Sequence, residues 1–426
     1  MTQTATTEIP KRKKRSKKES PPEKEKPKNG KQKKVEAKAA PSKNGKSKKE
    51  ALPLPAALLP EEQETKGKSK KLINVDALIL ESCKAVGISC EYPVQFSSPV
   101  NCVHSGSFLF DLVSSGGFRN GRMHTISGPS GAGKSTLMQY VVLAAQKQGL
   151  RIYHFDIEKS AIFTYMKRQG IKMGDDYRLA NGDRGYYYFR PRTLEEAYKA
   201  ACRLLEILPT PQNPNTRPDT ILIMDSYKSM VPQEHLDGKA TLGLHARLHD
   251  YWQPILRNQI ENSTATLVAT NQMRVKGIGS FFCREEESAG NALKFYADAR
   301  YLITRSKTGS DQKGWGKCPD HVSPVALRVL KNRMCDSEGI KADMRFIRGL
   351  GFDLLHDRLA FLVMIDEVKK LEKNMLELAG EKCSYKKARS LMREKEWYKL
   401  CQKKRKDIKV YEDFFNKRAP AEEWEL

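Results

Sequence analysis

Nine residues, Gly128 to Thr136 (GPSGAGKST), constrain the fold of this chain more than any other stretch. They satisfy the pattern G-x-x-x-x-G-K-[ST] and lie between a short apolar run (MHTIS, from Met123) and a stretch of helical spacing from Leu137. Gly128, Gly131 and Gly133, with Pro129, Ser130 and Ala132 between them, allow backbone N–H groups to turn inward around phosphates. The helix start adds a favourable dipole, Lys134 neutralises phosphate charge, and Ser135, beside Thr136, offers a hydroxyl to Mg²⁺. Glycine makes up about 7% of residues, so chance matches are expected in only about one or two per cent of chains this long. A plain glycine-rich turn is therefore the weaker reading.

A turn joining strand to helix demands an α/β frame, and the following residues supply one. RIYHFDIE (from Arg151), TILIMDS (from Thr220) and ATLVATNQ (from Ala265) read as short buried strands. LMQYVVLAAQKQ, LEEAYKAACRLLEIL and HARLHDYWQPILRNQI read as helices between them. The alternation predicts a mostly parallel sheet covered by helices on both faces.

The flanks differ in composition. Residues 1–71 hold 22 Lys/Arg against 9 Glu in low-complexity order, about half of the chain's net +25 in one sixth of its length. They bury too little apolar surface to offset chain entropy and are expected to be disordered. A surplus of this size favours a polyanion as partner, against the plainer reading of a solubilising tail. KRKKRSKK suits a nuclear-localisation patch and a DNA-binding arm equally. Ala51–Pro60 (ALPLPAALLP) reads as linker, with a docking peptide as the alternative. Residues 72–100 open on LINVDALILESCKAVG, which has the spacing of an amphipathic helix. Residues 101–361 form the expected core. From about Asp366 the chain turns basic again (KKLEKNMLELAGEKCSYKKARSLMREKEW) and is expected to be helical, so 362–426 is taken as a small C-terminal domain. Nine cysteines without a CxxC pair suit neither a disulfide framework nor a zinc site, and point to a reducing cytosol. No run approaches the ~18 apolar residues of a membrane span.

Four further residues carry candidate chemistry. Asp225 ends a buried apolar strand, where a carboxylate needs a partner. In phosphate-loop enzymes that partner is magnesium, and a helix cap is the alternative. In RIYHFDIE, Asp156 and Glu158 alternate with Phe155 and Ile157 and should point the same way. Glu158 projects further, and is favoured as the group that orients or deprotonates water. Tyr165 suits adenine stacking or core packing; from spacing alone the core reading wins.

With these residues in view, the chain resembles the RecA family, bacterial RecA and phage RecA-like recombinases. The resemblance runs from about Val103 to Phe361, some 60% of the chain. It is most specific in VHSGSFLFDLVSSGGFRNGR and in NQMRVKGIGSFFCREEESAGNALKFYADAR. It implies a RecA-like P-loop ATPase core with an N-terminal helix arm, near Asn74–Lys84, serving polymerisation. It implies ATP and Mg²⁺ as cofactors, with helical filaments on single-stranded DNA, pairing with double-stranded DNA, and single-strand-binding and loader proteins as further partners. Glu158 takes the position of the catalytic base, Asp225 that of the Walker B aspartate, and Tyr165 that of the ring stacked on adenine. Gln272 falls where the family senses γ-phosphate. Arg274, Lys276 and Phe281 fall in the second DNA loop, and Lys239 in the first. Lys331 and Arg333 match basic residues reaching the neighbouring protomer's ATP. The implied place of action is the cytoplasm and nucleoid. Departures include a short first loop (Pro232 to Gly243), the acidic run Glu285–Glu287, and Lys159 after the base. A ring helicase, a mediator paralogue and a DNA-coating scaffold are the alternatives.

Overall fold

The computed structural model describes residues 81, 85, 102–159, 162–211, 216–239, 241, 243–276, 284–287, 292–312, 314–371 and 374–417. Contacts divide the chain into two units, Met1–Cys90 and Glu91–Leu426. Of the first, only Glu81 and Ala85 are described, and both are helical. The basic tail and almost all of the expected polymerisation arm lie outside the described residues.

The second unit is built on a ten-stranded sheet. Nine strands form its path: β1 (Met123–Gly128), β2 (Arg151–Asp156), β3 (Tyr186–Phe189), β4 (Thr220–Asp225), β5 (Ala265–Lys276), β6 (Ala299–Arg305), β7 (Val322–Asn332), β8 (Lys341–Ile347) and β9 (Gly351–Phe352). Their order is β9-β8-β7-β6-β1-β5-β4-β2-β3, and Arg284–Glu287 pairs with β5 as the tenth. The six strands from β6 to β3 run parallel, and β7, β8 and β9 continue antiparallel. The mostly parallel sheet is as expected; the antiparallel extension was not read from the sequence.

Period-two alternation sends each strand's side chains into two cores. Ile221, Ile223 and Val268 face one layer, with Leu137, Met138, Val141 and Val142 of helix α2 (Lys134–Lys147). Leu222, Met224 and Leu267 face the other, with helices α4 (Leu194–Glu206) and α5 (Leu244–Glu261). The strands are apolar on both faces because helices cover both. In α4 the buried residues Leu194, Ala197, Tyr198, Ala201, Cys202 and Leu205 form one stripe, and the Thr193 side chain accepts from Glu196 N at the N-terminus. Two further helices belong to this frame, α1 (Phe108–Val113) before β1 and α3 (Phe163–Arg168) after β2.

The C-terminal segment differs from expectation. Lys369–Lys370, Met375–Leu378 and Glu381–Ser384 form a three-stranded antiparallel sheet in place of helix. Leu376 and Leu378, two apart, are buried while Met375 and Glu377 are not, a strand period that the surrounding lysines and glutamates obscured. Helices α7 (Tyr385–Leu391), α8 (Lys395–Lys406) and α9 (Ile408–Asn416) follow. They pack onto α1 and onto α6 (Leu354–Met364), the helix after β9; Ala388, Cys401 and Phe414 share a core with Phe110 and Val141. Buried charge fastens this junction: Arg389 grips Asp353 through two bonds of 2.8 and 2.9 Å, and Arg405 meets the fully buried Asp111 of α1.

Candidate active site

β1 delivers the phosphate loop to the carboxyl edge of the parallel strands, where side chains from β2, β4, β5 and β6 converge. Two glycines are required by geometry. A side chain at Gly128 would meet the Ile303 carbonyl of β6 at 2.3 Å, and Gly133, at the start of α2, holds φ near +104°. The loop therefore passes tight against the sheet and opens directly into the helix N-terminus, whose first N–H groups face the cleft. Lys134 folds back along the loop: its ammonium donates to the Gly128 and Pro129 carbonyls at 3.0 and 2.9 Å. Burial lowers its pKa, and Asp225 and Glu158 oppose that shift. A phosphate would give the buried ammonium a charged partner in place of two neutral carbonyls.

The cleft is lined by Ser130, Gly131, Gly133, Lys134, Ser135, Thr136, Glu158, Asp225, Gln272, Arg305 and Phe346. Asp225 is 5% exposed. Burial raises its pKa, and hydroxyl bonds from Thr270 and Ser135 oppose the rise. A buried carboxylate beside the Ser135 hydroxyl is a hard-oxygen donor pair suited to Mg²⁺, with phosphate oxygens and waters completing the shell. Asp225 makes no helix cap; the turn Tyr227–Ser229 behind it has no side-chain cap.

Glu158 and Asp156 do not point the same way, contrary to the alternation read from sequence. β2 ends at Asp156, and the N–H groups of Ile157 and Glu158 both turn onto the Asp225 carbonyl, at 2.8 and 3.3 Å. Strand periodicity stops there. Asp156 is buried and takes the Tyr188 hydroxyl of β3, whereas Glu158 enters the cleft. Its Oε1 accepts from Ser226 Oγ at 2.6 Å, Gln272 Nε2 at 2.7 Å and Ser229 Oγ at 3.0 Å. Gln272 occupies β5 at the register of Gly128. Beyond it the same strand runs on through Arg274 to Lys276 and pairs with Arg284–Glu287, so that Arg274 stands opposite Glu286 and Lys276 opposite Arg284. Phe281 lies outside the described residues.

Tyr165 is half-exposed on α3, whose buried residue is Met166. The core-packing alternative fails for it, and its hydroxyl stands within electrostatic reach of Tyr140 on α2. Lys239 is exposed, its N–H on the Glu234 carbonyl. Lys331 and Arg333 sit at the opposite edge of the sheet from the loop. Arg333 N donates to the Asp298 carbonyl, and Asp298 N to Met123 O at the start of β1. That is five residues, roughly 17 Å along the strand, from Gly128. The Lys331 ammonium donates to the Lys294, Phe295 and Ala297 carbonyls, and burial lowers its pKa to about 8, with Arg333 and Arg300 adding to the shift.

Three residues escaped the sequence reading, Arg305 and Phe346 in the cleft lining and Lys228 behind Gln272. Arg305, at the end of β6, lies 4.8 Å over the Phe346 ring on the loop side of the sheet. Lys228 donates to Gln272 Oε1 at 2.9 Å. None belongs to a motif, and all three reach the site through strand order, which the sequence does not display.

A phosphate loop at the edge of a helix-covered parallel sheet, with a buried carboxylate at the next-but-one strand end, defines a P-loop nucleotide-binding protein. Comparison with known proteins narrows this. The family model described as the RecA N-terminal domain matches residues 91–190 and 203–351, and the chain belongs to the RecA family. It is 30% identical to Protein RecA of Treponema pallidum over 280 residues, covering 64% of this chain and 61% of that protein. It is 30% identical to Protein RecA of Porphyromonas gingivalis over 279 residues, covering 64% and 74%. With Protein RecA of Leptospira biflexa the figures are 33% over 240 residues, 55% and 56%.

Proposed function

We propose that this chain is a DNA-dependent ATPase that assembles as a helical filament on single-stranded DNA and pairs it with a homologous duplex for strand exchange. The observation that carries the reading is the path from Glu158 to Gln272 to the hairpin of Arg274 and Lys276. The candidate base is hydrogen-bonded to a residue whose own strand leaves the core for the expected DNA loop. A change at the nucleotide thereby passes through one hydrogen bond and then along the β5 backbone to that loop.

In this reading Lys134 and the loop N–H groups bind the β- and γ-phosphates of ATP, and Tyr165 stacks on adenine. Mg²⁺, held through Ser135 and Asp225, would neutralise charge on the phosphate oxygens. Glu158 takes a proton from the attacking water, and Gln272 holds Glu158 in place until the γ-phosphate is bound. Lys331 and Arg333 complete the neighbour's site. ATP then binds the assembled form more tightly and favours it by that difference. Arg274, Lys276, Phe281 and Lys239 contact DNA through phosphates and base faces, which tolerates any sequence. Single-strand-binding and loader proteins are further partners, and the cytoplasm, at the nucleoid, is the place of action; KRKKRSKK is an arm for DNA in preference to an address for nuclear import.

The test is the rate of ATP hydrolysis with and without single-stranded DNA, with electron microscopy of the same mixtures. DNA-stimulated turnover on helical filaments is expected. Unstimulated turnover with rings or discrete particles would replace this reading with a helicase or mediator.

A further inference from the structure

We infer that Lys228 detects the γ-phosphate and relays its arrival to Gln272. The inference rests on the nucleotide reading above and adds a regulatory residue to it. Lys228 lies on the single turn Tyr227–Ser229 directly after β4. Tyr227 beside it is fully buried, which anchors the turn, while Lys228 itself is half-buried. Its ammonium donates to Gln272 Oε1 at 2.9 Å, and Gln272 Nε2 donates to Glu158 Oε1 at 2.7 Å. One amide is thus held at both ends, by a cation and by the candidate base. Lys228 is also close enough to Lys134 for the two like charges to disfavour each other.

The amide oxygen is a neutral acceptor. A phosphate oxygen is charged, and bonds to it are roughly twice as strong. A terminal phosphate bounded by Lys134, Glu158 and Gln272 comes within reach of the Lys228 ammonium, which carries three donors on a flexible stem. The ammonium then exchanges the amide oxygen for phosphate, and the Gln272 amide loses that tether. A diphosphate ends short of this position and leaves the amide held. Lys228 is therefore a positioning residue for Gln272 and a discriminator between ATP and ADP.

The full chain, Lys228→Met and Lys228→Arg are compared for equilibrium binding of ADP and of a slowly hydrolysed ATP analogue. Methionine keeps the stem and removes the charge; thermal midpoints verify that both variants fold. Lys228→Met should weaken the ATP analogue about tenfold, equivalent to about 1.4 kcal/mol, and leave ADP within about twofold. Lys228→Arg should restore most of the preference, and the DNA stimulation of turnover should follow it. Equal losses for both nucleotides, or no loss for either, would overturn the inference. If the unaltered chain binds neither nucleotide, the proposed function falls and this role with it. If it prefers ATP and Lys228→Met keeps that preference, the role of Lys228 alone falls.

Discussion

Gln272 Nε2 lies 2.7 Å from Glu158 Oε1, joining the end of β2 to the strand that leads into the hairpin of Arg274. The pair makes separable predictions. Glu158→Gln removes the proton acceptor and should lower turnover about 10²- to 10⁴-fold with nucleotide binding retained. Gln272→Ala should keep basal turnover within about threefold and abolish its stimulation by single-stranded DNA, because the link and not the base is lost. Steady-state phosphate release with and without oligonucleotide checks both.

Lys331 and Arg333 stand at the sheet edge away from the chain's own phosphate loop, so the proposed role at ATP would be played at a neighbour's loop. A variant with Lys331→Ala and Arg333→Ala, and a second with Lys134→Ala, should each be inactive in DNA-stimulated hydrolysis. Mixed in equal amounts, they should regain about a quarter of the normal rate, the share of head-to-tail interfaces pairing an intact loop with intact basic residues. No recovery on mixing would place Lys331 and Arg333 in a purely internal role.

Residues 1–71 carry 22 of the 76 Lys and Arg. Deleting them should weaken DNA binding and flatten the dependence of log Kd on log salt, because fewer counterions are released. DNA titrations at four salt concentrations measure the slope. An unchanged slope would assign the tail to something other than DNA.

Acid should destabilise the core from about pH 6.5 downward. Burial depresses His124, His249 and His356 to about 3 and His154 to about 4. Below pH 6.5 the unfolded chain binds protons at these histidines that the folded chain does not, so stability falls as pH falls. Asp357 acts in the opposite sense: burial raises it to about 7, and its protonation favours the fold on acidification. Four histidines outweigh one carboxyl, giving a net loss of about 3 kcal/mol between pH 6.5 and 5.5. Denaturant melts at the two pH values test this.

Legibility followed the strength of local pattern. The loop Gly128–Thr136 and strands β1, β2, β4 and β5 were readable because each is a continuous apolar run or a fixed motif. The antiparallel half was not, since strands such as Ala299–Arg305 mix buried and half-exposed positions. Met375–Leu378 was misread because Leu376 and Leu378 sit among charges that suit a helix equally well. Within the site, Glu158 and Asp225 were found from strand ends and resemblance, while the parting of Asp156 from Glu158 depended on where β2 stops.

The phosphate loop, the helix-covered parallel sheet and the excess of positive charge concentrated in one segment follow from residue order alone. These depend on residue type and spacing along the chain, which local sterics and hydrophobic burial convert directly into structure. Folding in three dimensions is what brings Glu158 and Lys228 together on Gln272, sets Arg305 in the cleft, and puts Lys331 at the far edge from Gly128. Those relations are set by strand order and register, and distant segments acquire them only when the sheet assembles.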